Sequence, residues 1–219
     1  MSQKKRVGIL ISGRGSNMES LIGAARNADY PAEVVCVVSN RPEAEGLVKA
    51  AAAGIDAQAI DHRQFASREG FEEALDATLH AHGVEIIACA GFMRMLTPGF
   101  VNGWRDRMLN IHPSLLPAYR GLDTHTRALA DGVKLAGCTV HIVRPELDCG
   151  PIIAQAAVPV LEHDTPDSLA ARVLAAEHRV YPHALALFAS GGVVVSGDRA
   201  ALRQEPINQA NPLYWPPVD

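Results

Sequence analysis

Two short stretches of this sequence hold residue types that could move an acyl group. In Asn110-Ile111-His112-Pro113-Ser114-Leu115-Leu116-Pro117 an amide and an imidazole stand two positions apart at the end of an apolar run, and two prolines follow. Alternate residues of a strand face one side, so Asn110 and His112 project together. Proline fixes φ and withholds an N–H, so the chain past His112 leaves the sheet as a stiff platform. In Glu146-Leu147-Asp148-Cys149-Gly150-Pro151 a carboxylate sits in a tight loop between two strand-like runs. The amide can stabilise an oxyanion and the imidazole can act as acid or base. A carboxylate beside the imidazole favours its charged form.

A third stretch, Ser12-Gly13-Arg14-Gly15-Ser16-Asn17, joins the first strand to the first helix. Small residues let the backbone approach a ligand, and free N–H groups at a helix start favour an anion. Ser16, Asn17 and Arg14 add side-chain donors. A tight turn with a helix cap is the competing reading. The dinucleotide fingerprint is incomplete, because Met18 stands where its last glycine belongs. The second strand ends in Ser39-Asn40-Arg41, without an acid for a ribose hydroxyl. No Walker lysine is present. A mononucleotide phosphate fits this loop better than NAD or ATP.

The elements that must position these groups follow from periodicity and punctuation. Val7 to Ser12 reads as a buried strand, and Asn17 to Ala28 as a helix with a capping box made by Ser16 and Glu19. Glu33 to Ser39 is a strand, Pro42 to Ala53 a helix closed by Gly54, and Ala57 to Ile60 a short strand. Ser67 to His82 is a helix closed by Gly83, and Ile86 to Ala90 a continuous apolar strand. This alternation predicts a parallel sheet with helices on both faces.

The second half departs from that rhythm. Met108 to His112 is a strand, and Thr124 to Asp131 a helix. Gly137 to Val143 and Ile152 to Val158 are strands separated by eight residues, Arg144 to Pro151. That gap is too short for a parallel crossover, so the pair is expected as an antiparallel hairpin. Asp164-Thr-Pro-Asp opens a long helix, and Pro182 inside it predicts a kink or break. A short strand follows Gly191-Gly192, and the Pro-rich end after about Gln204 is expected to be loosely ordered. The fold expectation is a single-domain, Rossmann-like α/β protein with a mostly parallel twisted sheet and a C-terminal hairpin. Within one domain spanning 1–219, a nucleotide-phosphate half covers about 1–105. A half with the catalytic loops covers about 106–196, and a tail covers 197–219.

Composition bounds the function. With 48% hydrophobic and 20% charged residues in 219, the chain belongs with globular proteins holding one sizeable core. A net charge of −4 gives no general attraction for nucleic acid. No apolar run approaches the ~20 residues of a membrane span, and Val7 to Ser12 is too short for a signal-peptide core. Cys36, Cys89, Cys138 and Cys149 show no CxxC spacing. Reduced thiols in a cytoplasmic protein are expected. No metal-binding spacing appears among the nine histidines, so no metal is expected. His125 and His141 are assigned supporting or packing roles near His112.

Taken together, the chain resembles the phosphoribosylglycinamide formyltransferases, folate-dependent formyltransferases of purine synthesis. The resemblance runs from about Val7 to Gly192. Ile-Ser-Gly-Arg-Gly-Ser-Asn (11–17), Ala-Gly-Phe-Met-Arg-Met-Leu (90–96), Leu-Asn-Ile-His-Pro-Ser-Leu-Leu-Pro (109–117) and Glu-Leu-Asp-Cys-Gly-Pro (146–151) carry it. It implies that Asn110, His112 and Asp148 are catalytic, with Asn110 also touching folate. It implies that Gly15, Ser16, Asn17 and Glu177 hold the ribose phosphate of glycinamide ribonucleotide. Arg68, Met93, Arg94, Met95 and Leu96 are implied at the 10-formyltetrahydrofolate site, the 93–96 run offering backbone polar groups to the pterin. The family's usual second histidine in Gly-Leu-His-Thr-His is Asp123 here, a departure that touches none of the three catalytic positions. A monomer or weak homodimer without nucleic-acid or membrane partners is expected. Competing readings are a formyltransferase for another amine, a deformylase, an NADP-dependent oxidoreductase using Arg41, and a non-catalytic nucleotide- or folate-binding protein.

Overall fold

The computed structural model describes residues 3–204. The expected loose ending after Gln204 lies outside the described residues. Seven strands form one sheet in the order β3-β2-β1-β4-β5-β6-β7. They are β1 (Lys5–Ile11), β2 (Ala32–Ser39), β3 (Asp56–Ala59), β4 (Ile86–Cys89), β5 (Met108–His112), β6 (Leu135–Ile142) and β7 (Ile152–Pro159). Strands β1 to β5 pair in parallel, and β5–β6 and β6–β7 are antiparallel. The mostly parallel sheet and the hairpin agree with the sequence reading. A second hairpin, β8 (Val193–Ser196) with β9 (Arg199–Leu202), forms its own two-stranded sheet. Ordered structure therefore runs into the segment expected as tail.

The helices are α1 (Ser16–Ala25), α2 (Glu45–Ala52), α3 (Arg68–Ala81), α4 (Pro98–Gly103), α5 (Thr124–Ala130) and α6 (Pro166–Ala189). Two apolar clusters bury the faces of the sheet. One joins Val7, Ile9, Ile11, Leu109, Ile111, Cys138, Val140 and Ile142 to α1 and α6. The other joins Leu10, Cys36, Val38, Ile87 and Met108 to Phe71, Leu75 and Leu79 of α3 and to Trp104 beyond α4. The strand alternation is thus as read: odd and even positions of β5 go to opposite clusters. Burial pushes the Cys36 thiol up to about 11 and the Cys89 and Cys138 thiols up to about 12.

Three local expectations need correction, and one short helix was not foreseen. Helix α1 has no capping box: its N-cap is Gly15 at φ 74°, with no side-chain cap bond, and Ser16 is already helical. The left-handed turn brings the chain into the helix one residue early and takes Ser16 out of capping position. Helix α2 begins at Glu45, because Arg41 to Ala44 forms a turn closed by the Ala44 N–H on the Arg41 carbonyl. Helix α6 runs through Pro182 as one helix, so of the expected kink or break the break does not occur. Buried Leu169, Val173, Tyr181, Ala184 and Leu185 hold both sides of the proline against the sheet, so one missing N–H does not end it. Tyr181 Oη donates to the Cys89 and Leu109 carbonyls at 2.9 and 3.3 Å, tying α6 to β4 and β5. Helix α4 went unread because Gly99 and Gly103 dilute its pattern, although Thr97 and Pro98 form a regular helix start.

Candidate active site

Parallel strands β1, β4 and β5 end at one edge of the sheet, and strand order reverses between β1 and β4. That is the location where open α/β sheets bind ligands. The loop after β1 carries Gly15, Ser16 and Asn17, the loop after β4 carries Met93 to Leu96, and β5 ends in Asn110 and His112.

Asn110 and His112 lie on the Met108 face of β5, past the apolar packing. Register across β5–β6 pairs Asn110 with His141 and His112 with Thr139. The loop between β6 and β7 returns Asp148 to this face. His112 Nδ1 lies 3.4 Å from Asp148 Oδ2, and both side chains are buried. Asp148 has φ 49°, an uncommon conformation for a residue with a Cβ. Two residues on, the chain passes so close to β6 that a Cβ on Gly150 would lie 1.8 Å from the Ile142 carbonyl oxygen. The Gly121 N–H also donates to Asp148 Oδ2, at 2.9 Å. Asp148 therefore joins its own loop to the end of β5 and to the loop that follows it.

The other imidazole nitrogen, His112 Nε2, donates to the Tyr119 carbonyl at 2.9 Å. Oxygen atoms thus face both ring nitrogens. His141, 2% exposed, places Nε2 3.2 Å from Asn110 Nδ2 and 3.8 Å from Asp148 Oδ1. Burial holds the His141 pKa below the usual imidazole range, and the charge of His112 pushes the same way. A neutral His141, with Nδ1 donating to the Ile142 carbonyl at 3.2 Å, can accept one N–H of the Asn110 amide and leave that amide's other N–H free. Sequence reading gave His141 only a supporting or packing role. Its signal was the cross-strand register, which needs the pairing before it can be used. His125 is half-buried, and its pKa is lowered first by burial and then by the charge of His112.

The platform after His112 is held by side chains as well as prolines. Thr139 Oγ1 donates to the Ser114 carbonyl at 2.7 Å and accepts from the Leu116 N–H at 3.0 Å. Gln155 Nε2 donates to the Leu116 carbonyl at 2.9 Å. Two hollows flank this segment. One of about 180 Å³ is lined by Leu115, Tyr119, His125 and Val133. The other, of about 370 Å³, is lined by Pro117, Arg120, Asp148, Cys149 and Arg199. Asp148 opens onto the larger hollow, while Asn110 and His112 line neither.

At the start of α1, Asn17 is buried and its Nδ2 donates to Glu177 Oε2 of α6 at 2.6 Å. Asn17 Oδ1 is buried without a partner, so this pair retains acceptor capacity. Burial raises the Glu177 pKa, and the Asn17 bond offsets part of that rise. A Cβ on Gly15 would lie 3.0 Å from Gly46 Cα and 3.1 Å from Met18 Cε, so space as well as its positive φ requires glycine. Gly46 was not anticipated; its N–H donates to the Gly13 carbonyl at 3.0 Å.

Of the remaining predicted positions, Met93 to Leu96 form the loop after β4. Arg94 lies over the Phe71 ring at 5.2 Å, while Met93 and Met95 are exposed and Leu96 packs on the second cluster. Arg68 is exposed at the first residue of α3, three positions before Phe71 on neighbouring turns of one face. Asp123 is exposed at φ 57° as the N-cap of α5. Among the described residues no group of histidine, cysteine, aspartate and glutamate could hold a metal ion. No described helix is long and apolar enough to cross a membrane.

A doubly wound sheet thus brings an amide and an imidazole at the end of β5 together with a carboxylate from the loop between β6 and β7. The chain belongs to the formyl transferase family, whose profile matches residues 5–185. It is 43% identical over 183 residues to phosphoribosylglycinamide formyltransferase of Escherichia coli strain K12, covering 84% of this chain and 86% of that one. It is 50% identical to the trifunctional purine biosynthetic protein adenosine-3 of Gallus gallus over 89% of this chain and 19% of the relative. This chain thus spans about a fifth of that longer protein. Its fold matches the crystal structure of glycinamide ribonucleotide transformylase 1 from Symbiobacterium toebii, with TM-score 0.89 and 46% identity over 92% of this chain and 95% of the other.

Proposed function

We propose that this chain transfers the formyl group of 10-formyltetrahydrofolate to the amine of 5-phosphoribosylglycinamide, giving formylglycinamide ribonucleotide and tetrahydrofolate. The observation carrying the reading is the meeting of His112 with Asp148 at 3.4 Å beside Asn110, at the sheet edge that also holds the glycine loop. The substrate amine is the nucleophile, so no enzyme serine or cysteine is needed. Its lone pair forms the new C–N bond at the formyl carbon, and the formyl oxygen gains negative charge. Asn110 donates an N–H to that oxygen; one such donor is typically worth ~10²–10³ in rate. His112 donates to the same oxygen and assists proton movement from the attacking nitrogen to the departing N10, help worth ~10²–10⁴. Asp148 orients the imidazole.

Gly15, Ser16 and Asn17 bind the phosphate and Glu177 the ribose. Arg68 and the run Met93, Arg94, Met95 and Leu96 bind folate together with Asn110. Residues 1–219 act as one formyltransferase domain, cytoplasmic, a monomer or weak homodimer, with no metal and no nucleic-acid or membrane partner. The test is a mixture of purified protein, glycinamide ribonucleotide and 10-formyltetrahydrofolate. Formylated ribonucleotide and tetrahydrofolate are expected in equal amounts. Folate release without the ribonucleotide would identify a deformylase, and absence of turnover would reject the reading.

A further inference from the structure

We propose that Ser12 and Glu72 are positioning residues that clamp the 93–97 segment, holding its backbone as a preformed edge for the folate ring system. The ligand's identity rests on the formyl-transfer reading above.

The segment connects β4 to α4 and has the side-chain alternation of a strand. Met93 and Met95 point outward, 66% and 54% exposed. Phe92 and Leu96 pack on the second cluster, and Arg94 lies over Phe71 between them. Yet no strand pairs with it. Among the described residues, the backbone N–H and C=O groups of Arg94, Met95 and Leu96 form no hydrogen bond with other backbone. A strand ordinarily gains its order from such a ladder.

Here order is imposed at the two ends. At the first, the Met93 N–H donates to Ser12 Oγ at 2.8 Å. Ser12 is buried, and its hydroxyl proton goes to Asn40 Oδ1 at 2.6 Å. The Ser12 N–H donates to the Gly91 carbonyl at 3.1 Å. One hydroxyl thus fixes the folate loop to the base of the phosphate loop. At the other end, Glu72 is 4% exposed on α3. It accepts from the Thr97 N–H at 2.7 Å, and its second oxygen accepts from the Thr97 hydroxyl. Burying a carboxylate is costly unless it is hydrogen-bonded, and the Thr97 donors supply those bonds.

Fixed at residues 93 and 97, the intervening backbone presents unpaired donors and acceptors in a set order. A planar ring edge with its own donors and acceptors can complete that pattern, as an added strand completes a sheet. Holding the edge before binding lowers the ordering cost of the complex.

Hydrogen exchange on the unmodified protein is the first test. Met93 and Thr97 amides should exchange slowly and those of 94–96 fast, with 94–96 slowed by 10-formyltetrahydrofolate. Equal exchange across 93–97 would overturn the clamp even if no variant folds. Steady-state kinetics of Glu72→Gln and Ser12→Ala form the second. Each should raise KM for 10-formyltetrahydrofolate by about tenfold while kcat stays within about threefold. Glu72→Gln should leave the ribonucleotide KM unmoved. Loss of kcat at unchanged folate KM would mean a purely structural role and reject the proposal. Unmodified protein lacking turnover would reject the formyl-transfer reading and this ligand assignment together.

Discussion

His112 Nε2 is held by the Tyr119 carbonyl at 2.9 Å, so loop backbone occupies the imidazole nitrogen that faces away from Asp148. Tyr119 reaches this position at φ 55°, between the Ser114 Oγ bond to the Ala118 carbonyl and the Gly121 N–H bond to Asp148. The contact covers the His112 imidazole while leaving Asp148 open to the larger hollow.

For His112 to meet the formyl oxygen, that loop bond must be exchanged for one to substrate. Hydrogen exchange over 118–131 should therefore change when ribonucleotide and a folate bind together, most at 118–121. Identical protection in free and bound protein would contradict this exchange of partners.

His112→Ala and Asp148→Asn should lower kcat by about 10²-fold or more while the ribonucleotide Kd moves less than about threefold. The glycine loop proposed for the phosphate is on another strand end and makes no bond with either side chain. Stopped-assay kinetics with calorimetric binding would separate the two quantities. Equal losses in rate and binding would contradict these roles.

Glu177 sets stability against binding. Burial raises its folded pKa above the unfolded value near ~4.3. The folded state therefore holds the proton more tightly, and the associated stability is complete below the unfolded pKa. It is lost as pH rises through the folded pKa, leaving a buried carboxylate at neutrality. Glu177→Gln keeps an acceptor for Asn17 and removes that loss. Its Tm should exceed the parent's by a few degrees at pH 7, at about 2–4 °C per kcal/mol for this size, and the gap should close near pH 4. Ribonucleotide binding should weaken by about 10–100-fold, since a charged acceptor is lost. Thermal melts at the two pH values and titration calorimetry check both halves.

Much of this arrangement was legible because strand alternation is local. Leu109 and Ile111 had to face one cluster, which sent Asn110 and His112 the other way. Asp148 was legible as a loop carboxylate, but its return to His112 depends on the β6–β7 register, which shifts between Val140 and His141. His141 sits in a strand buried on both faces, where periodicity carries no direction. Glu72 lies among charged residues on α3 and reads as solvated until Thr97 is found above it. The capping box failed for a related reason: Ser16 and Glu19 have the right spacing, but only the φ of Gly15 decides where the helix begins.

Two glycines should respond oppositely to the same substitution. Gly46 packs against the phosphate loop, where a Cβ would lie 2.5 Å from Ile11 Cδ1, 3.1 Å from the Gly13 oxygen and 3.3 Å from Gly15 Cα. Gly46→Ala must therefore push α2 away from the loop or distort the loop, and overpacking of this kind costs ~1–3 kcal/mol. The loop's N–H groups would move with it, so ribonucleotide affinity should fall together with Tm. Gly23 lies on the exposed side of α1 with nothing within 4 Å of an added Cβ. Gly23→Ala gains helix propensity and restricts the unfolded chain, stabilising by ~0.4–1 kcal/mol. Denaturant melts of both variants, with ribonucleotide titrations, test the contrast. Equal stability changes, or Gly46→Ala with unchanged affinity, would show that α2 does not shape the anion cradle.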